Sequence, residues 1–434
     1  MLKRLLLICF SLSVLAACQK SDEDVFSAPP DTRLNDTLKK YGDILATAPY
    51  GWKGLVYPSG LEHGVFSFYF EFNDSNRVKM YADFDSASAI TVAESSYRLK
   101  ALQQPCLLFD TYSYLHVLSD PDASVNGGVY GEGLYSDFEF AIEGMRGDTI
   151  LLKGRYHESK AVLIKATAEE QAAYKGEKSN RLIDKIGTYL TYFKRLTLNG
   201  KSYDVAFDEA SRTTTISWVD ESGANQTVTT GYYYTPNGVA FAPAVNVNGE
   251  TIASLDNLTW SATSTTLSFT ANGNTGTIKE TAKPLVIDKD AAKAWWNEKQ
   301  QTGSYWITVE GFHVDGKDDA YGIQQLPNYS FTIYNPQFEL SDGSQYELLG
   351  IITNSGNGAE LSYGPAFTTP PTFRTDGRIV FSYVGVLGEL PEGETAVSNT
   401  TTKMSETQGF YLVKTSSGYD MVNAKDGKSW ISWF

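Results

Sequence analysis

GVFSFYFEF, residues 64–72, places phenylalanine at every second position from Phe66 to Phe72. A period of two is the signature of a strand, because successive side chains leave a pleated backbone on opposite faces. The same pattern recurs on both sides. Residues 77–84, 96–102, 106–118, 137–144, 148–156 and 160–166 all read as strands, and polar turns such as Asn73-Asp74-Ser75-Asn76 separate several of them. Short turns between alternating runs predict an antiparallel meander.

Before this run the period is helical. Leu34, Leu38, Tyr41 and Leu45 make one apolar stripe in a helix expected to start at Asp31, after Pro29-Pro30, and to stop before Pro49. Behind the run, residues 167–195 read as a helical connector. Thr167 and Glu170 form a capping box, and Leu182, Ile183, Ile186 and Leu190 supply its apolar face. The strand period then returns, first as a hairpin around Asn199-Gly200 and then at 213–219, 227–235, 238–245, 255–262 and 265–272. A third helix, 288–300, carries Trp295 and Trp296. Asp-Gly turns at 315–316, 342–343, 376–377 and 426–427 punctuate a last β region that ends in KSWISWF. The expected fold is therefore mainly β. Antiparallel meander sheets form a sandwich or open barrel, with about three helices as N-terminal lead and connectors, in two or three β units. The expected division is a β-rich domain at 31–285 (31–166, the connector 167–195, and 196–285) and a C-terminal β-rich domain at 286–434 opened by a helix.

The first thirty residues have another character. Lys3 and Arg4 precede LLLICFSLSVLAA, an apolar core too short to span a bilayer as a helix, which needs ~20 residues. It ends in Leu15-Ala16-Ala17-Cys18, which resembles the lipobox of bacterial lipoproteins. That resemblance implies a signal peptide at 1–17, cleavage between Ala17 and Cys18, and lipid attachment to Cys18, with two or three acyl chains for stable anchoring. Gln19 follows in place of an inner-membrane retention aspartate. Gln-Lys-Ser-Asp-Glu-Asp then resembles an export tag toward the outer face of the outer membrane. Residues 18–30 are polar and read as a flexible tether. The expected location is the cell outer membrane, lipid-anchored and facing the exterior.

Charge narrows the partners. The chain carries 51 acidic and 36 basic residues, a net −15, and loss of Lys3 and Arg4 with the leader leaves −17. Phosphate contacts need Lys and Arg, so nucleic acid is not an expected partner. Of three cysteines only Cys106 lies in the body, which leaves no intramolecular disulfide and no cysteine-based zinc site there. No cofactor is expected.

DTRLNDTLKKYGDILATAPYGWKGLVYP (31–58), PCLLFDTYSYLHVLSDP (105–121), DFEF (137–140) and DTILLKGR (148–155) together resemble the DUF4302 family of Bacteroidota lipoproteins, and the closing GYDMVNAKDGKSWISWF is also similar. The resemblance implies no assigned activity. It does imply a setting beside TonB-dependent outer-membrane importers of the SusC/SusD kind and other surface lipoproteins.

Few motifs point to chemistry. None of the four histidines sits in HExxH, no GxSxG occurs, and no glycine loop with Lys-Ser/Thr cradles a phosphate. Asp110, His116 and Asp120 form the densest polar cluster. On a continuous strand over 106–118, Asp110 and His116 share a face but lie ~20 Å apart, too far for one metal. A strand end with a satisfied histidine is the expected reading, and no metal site is expected. VDGKDD (314–319) reads as a turn, since it lacks the glutamate that closes a calcium loop. Tyr233, in the Tyr232-Tyr233-Tyr234 run, and the neighbours Trp295 and Trp296 are the ligand-binding candidates, because exposed aromatic faces suit sugar rings or protein partners. These features favour a non-catalytic binding or accessory subunit for a glycan or peptide. The alternative is a surface hydrolase using two carboxylates in a cleft.

Overall fold

The computed structural model describes residues 30–176, 179–354, 356 and 358–434. Ala17, Cys18 and the tether up to residue 29 lie outside the described residues. The fold is mainly β, with antiparallel sheets throughout.

Eight strands form the first unit: β1 (Trp52–Tyr57), β2 (Phe66–Phe72), β3 (Arg77–Ala82), β4 (Ala93–Leu102), β5 (Gln104–Phe109), β6 (Glu139–Arg146), β7 (Thr149–Gly154) and β8 (Lys160–Lys165). Each pairs with the next, and β8 returns to β1 through Trp52↔Lys165 and Leu55↔Val162. The meander expected as a sandwich or open barrel thus closes, and closure leaves no free edge. Phe66, Phe68, Phe70 and Phe72 of β2 fill the interior with Trp52, Val78, Met80 and Phe109. The helix Pro30–Ala46 lays Tyr41, Ile44 and Leu45 against this core, and the Trp52 indole N–H donates to the Leu45 carbonyl (3.1 Å). Fully burying one phenylalanine contributes ~1.5–3 kcal/mol by transfer alone.

The second unit is also a closed barrel: β9 (Phe193–Leu198), β10 (Lys201–Asp208), β11 (Thr213–Val219), β12 (Asn225–Thr235), β13 (Gly238–Val247), β14 (Glu250–Ser261), β15 (Thr266–Ala271) and β16 (Asn274–Thr281), with β16 paired to β9. Asn199 and Gly200 both take positive φ (52° and 74°) in the two-residue turn between β9 and β10, where Leu198 faces Lys201. The expected helix over 167–195 is two shorter pieces, a helix at Ala168–Lys175 and a 3-10 helix at Leu182–Thr188. The Thr167–Glu170 capping box forms as expected. Ile183 and Ile186 of the 3-10 turn join the second barrel's core.

The third unit has two sheets. One has order β17 (Trp306–Thr308), β19 (Tyr329–Glu339), β20 (Gln345–Asn354), β21 (Ala359–Phe367), β24 (Tyr383–Leu387). The other has order β18 (His313–Val314), β27 (Ser429–Trp433), β26 (Tyr419–Asn423), β25 (Phe410–Lys414), β23 (Arg378–Val380), β22 (Thr372–Phe373). Trp433 is fully buried, so the aromatic closing strand is internal. The helix Ala291–Thr302 packs Trp295 against Tyr334 (ring centroids 4.5 Å), and the Trp306 indole donates to the Trp295 carbonyl (3.0 Å). A further helix, Ala396–Met404, was not expected; its Asn-Thr-Thr-Thr centre has weak helix propensity, and burial of Val397, Thr400 and Met404 supplies what propensity does not. No helix among the described residues is long and apolar enough to cross a membrane.

The barrels meet along β2 and β12. Ser67 Oγ donates to the Tyr234 carbonyl (2.9 Å), and Asp83, just past β3, pairs with Arg212, just before β11. Leu55 and Val65 of the first barrel pack with Tyr233 and Ala242 of the second.

Candidate site at one end of the first barrel

The expected strand over 106–118 stops at Phe109. The chain then leaves the barrel and returns only at Glu139. This excursion is ordered by its own hydrogen bonds. The Asn126 amide donates to the Val117 and Asp120 carbonyls (2.8 and 3.0 Å), Gly131 N donates to Pro121 O (2.8 Å), and Leu134 N to Leu118 O (2.9 Å). Short helices at Tyr114–Val117 and Ala123–Asn126 complete it.

The excursion gives each of the three residues of the expected polar cluster a partner of its own. Asp110 is held by the Arg98 guanidinium through two charge-assisted contacts. His116 turns inward, with Nε2 3.3 Å from the Phe109 carbonyl and Nδ1 accepting the Ser113 amide (3.3 Å). Burial pushes its imidazole below the usual value. Asp120 accepts the Tyr112 hydroxyl at 2.5 Å, a contact that lowers the carboxyl and pushes the Tyr112 phenol up to about 12. Each group has its own partner, and among the described residues no three His, Cys, Asp or Glu side chains stand where they could hold a metal ion.

The surface above them is aromatic. Phe138 stacks on the His116 ring (4.6 Å), and Tyr112 stacks on the same ring at 5.6 Å. Tyr112 is 59% exposed, Tyr130 75% and Tyr156 79%. Phe138 and Tyr156 line a cavity of about 250 Å³ with Ser136, Glu132, Arg155 and His157. Its polar wall holds an Arg155–Glu139 ion pair, with Arg155 donating at 2.7 Å, and places His157 Nε2 3.7 Å from Glu132. Ser136 is buried at this wall, and its hydroxyl has no hydrogen-bond partner among the described residues.

Asp137 fixes the cavity's far side. Its carboxylate accepts the backbone N–H of Tyr156 (2.7 Å), His157 (3.0 Å) and Ser159 (3.1 Å), and the Ser159 hydroxyl (2.7 Å). The β7–β8 turn is thereby tied to the excursion, and Tyr156 is carried to the rim. Gly154 is required beneath it, because a Cβ there would stand 1.9 Å from Asp137 Oδ2. The sequence reading did not single out Tyr130 and Tyr156. For Tyr130 the available signal was an aromatic residue inside glycine-rich sequence, GVYGEG; Tyr156 fell at the end of the strand expected over 148–156, which stops at Gly154.

The aromatic candidates expected from sequence lie elsewhere and are covered. Tyr232, Tyr233 and Tyr234 are all buried, contrary to the expectation that one would be exposed. Tyr232 and Tyr234 point into the second barrel's core, and the outward Tyr233 is sheltered by the first barrel. Trp295 and Trp296 are both buried as well: Trp295 enters the third unit's core, and Trp296 donates its indole N–H to Glu347 (2.9 Å). None of these rings presents a face to solvent. Cys106 is buried, as expected for a packed thiol.

Asp315-Gly316 forms a tight turn with φ of 48° and 80°, and Asp319 accepts the amides of Ile323 and Gln324, so VDGKDD is a turn.

No curated protein matches the sequence. Among solved structures, the chain is similar to a DNA polymerase III subunit beta sliding clamp from Bartonella birtlesii LL-WM9, at 8% identity over 56% of this chain and 64% of that one. The match spans less than two thirds of the clamp, and its TM-score of 0.11 carries no argument. The family model described as "Domain of unknown function (DUF4302)" matches residues 22–262, the whole first barrel and most of the second. The chain belongs to the DUF4302 family.

Proposed function

We propose that this chain is a lipid-anchored cell-surface protein that binds a glycan or peptide, without catalysis, at the aromatic-rimmed cavity of its first barrel. In this reading it serves as an accessory subunit of an outer-membrane nutrient uptake system of the SusC/SusD kind. One observation carries the binding role: the exposed Tyr156 and the ring of Phe138 line a cavity whose polar wall holds the Arg155–Glu139 pair. Aromatic faces with a few fixed polar groups suit a ligand that is apolar on its faces and hydroxyl-rich or amide-rich on its edges. The Ala17-Cys18 leader supports the anchor, the family resemblance supports the importer setting, and the excess of acidic residues argues against nucleic acid.

A hydrolase of the two-carboxylate kind has less support. Burial pushes three carboxyls upward, and they lie in three different units: Asp83, Asp204 and Glu347. Each is tied into packing, Asp83 by Arg212, Asp204 by Arg195 and the Leu285–Val286 backbone, and Glu347 by Trp296 and Tyr334. Such an enzyme needs two carboxyls ~5–9 Å apart across one cleft.

Affinity electrophoresis through gels containing soluble polysaccharides, with a parallel peptide panel in solution, tests the reading. Retardation or binding by the wild-type chain that Tyr156→Ala abolishes is expected. No interaction with any polysaccharide or peptide contradicts it.

A further inference from the structure

The five-stranded sheet of the third unit ends on β24. That strand pairs with β21 through Gly364↔Leu387, Pro365↔Val386 and Ala366↔Gly385, and among the described residues no strand pairs with its other edge. Five residues leave ~17 Å of unpaired backbone. Natural edges are blunted with lysine, proline or inward charge. Tyr383-Val384-Gly385-Val386-Leu387 carries none of these. Val384 is 51% exposed and Val386 40%, and with Phe338, Tyr346, Leu348 and Ala366 they line a groove of about 240 Å³ on the face of the sheet, running inward from β24.

The charge around this edge has one sign. No lysine or arginine occurs between Lys317 and Arg374 or between Arg378 and Lys403, so β19, β20, β21 and β24 are without a basic side chain. Glu339 and Asp342 stand at one end of the groove strands, and Glu389 and Glu392 follow β24. Glu389 and Glu392 are exposed, and among the described residues they make no ion pair.

We propose that the free edge of β24 takes up an extended segment of another protein, apolar at alternate positions and flanked by lysine or arginine, as a sixth strand of this sheet. Main-chain hydrogen bonds along the edge supply affinity, the exposed Val384 and Val386 pack against apolar side chains of the added strand, and the glutamates select the basic flanks. A second copy of this chain is the poorer occupant, because its own edge offers the same lysine-free, acidic surface.

The test is fluorescence anisotropy of the full chain with labelled peptides of about nine residues, alternating Val, Ile, Thr or Tyr and flanked by two lysines at each end. Matched peptides with glutamate flanks serve as controls. Saturable binding of a lysine-flanked peptide is expected, weakened at least about tenfold by Val384→Lys/Val386→Lys and by Glu389→Lys/Glu392→Lys, and falling with added salt. Near-UV circular dichroism shows that each variant remains folded; both pairs change exposed side chains. Absence of binding across the panel overturns the proposal, as do equal affinity of the valine-to-lysine variant or equal binding of glutamate-flanked peptides. A concentration-dependent dimer of the wild-type chain that the valine-to-lysine variant dissociates overturns it in favour of self-pairing.

Discussion

Asp83 of the first barrel and Arg212 of the second meet at 3.2 Å with both side chains only 5% exposed. Arg212 also donates to the Asp83 carbonyl (2.9 Å), Tyr234 N donates to the carboxylate (2.9 Å), and the guanidinium lies over the rings of Phe66 and Tyr234 at 4.7 and 4.6 Å. Removing one member of a buried pair strands the other charge. Asp83→Asn should therefore destabilise the chain by about 3–5 kcal/mol in chemical denaturation, whereas Asp83→Leu combined with Arg212→Met should recover much of that loss. A loss below about 1 kcal/mol for Asp83→Asn would show that the seam does not depend on this pair.

Burial holds the His116 imidazole neutral, below its unfolded value. Between the folded and unfolded values the unfolded chain binds more protons, so stability rises with pH there and is lost as pH falls below about 6.5. His116→Phe keeps a ring between Tyr112 and Phe138 and should flatten the stability profile between about pH 7 and 5.5. An unchanged slope in that window, measured by denaturant midpoint against pH, would contradict the burial argument.

Asp137 links the excursion to the β7–β8 turn through four donors. Asp137→Ala leaves three backbone amides without their acceptor and should cost about 2–3 kcal/mol, with faster amide exchange at Tyr156 and His157. Ligand affinity should fall with it, because Tyr156 loses its fixed place. Unaltered exchange at the turn would show that Asp137 does not hold it.

The anchor has its own test. Cys18→Ala should move the protein from the membrane fraction to the soluble fraction, and mass spectrometry of the wild-type chain should find a lipid-modified residue 18. Retention of the alanine variant in the membrane would count against lipid attachment there.

Local chemistry was legible in the sequence, and closure was not. The phenylalanine alternation in β2, the Asn199-Gly200 turn and the Thr167–Glu170 cap each depend on neighbours within a few residues, and each formed as read. Barrel closure rests on β1 meeting β8 and β9 meeting β16, pairings between distant segments that no local period specifies. The aromatic candidates failed for a related reason. A period of two says that Tyr233 points away from its own barrel's core, but not that the first barrel covers it. Tyr130 escaped notice because it lies on a turn, where no periodicity draws attention to a side chain, and Tyr156 because the strand expected over 148–156 ran through it, whereas β7 ends at Gly154.

Isothermal titration of the full chain with the ligand found by electrophoresis tests the binding site most directly, comparing wild type, Phe138→Ala/Tyr156→Ala and a buried control, Tyr233→Phe. The account predicts that the double variant loses about 2 kcal/mol of affinity, near thirtyfold in Kd, while the control binds as wild type does. Equal affinity of the double variant and wild type would contradict it.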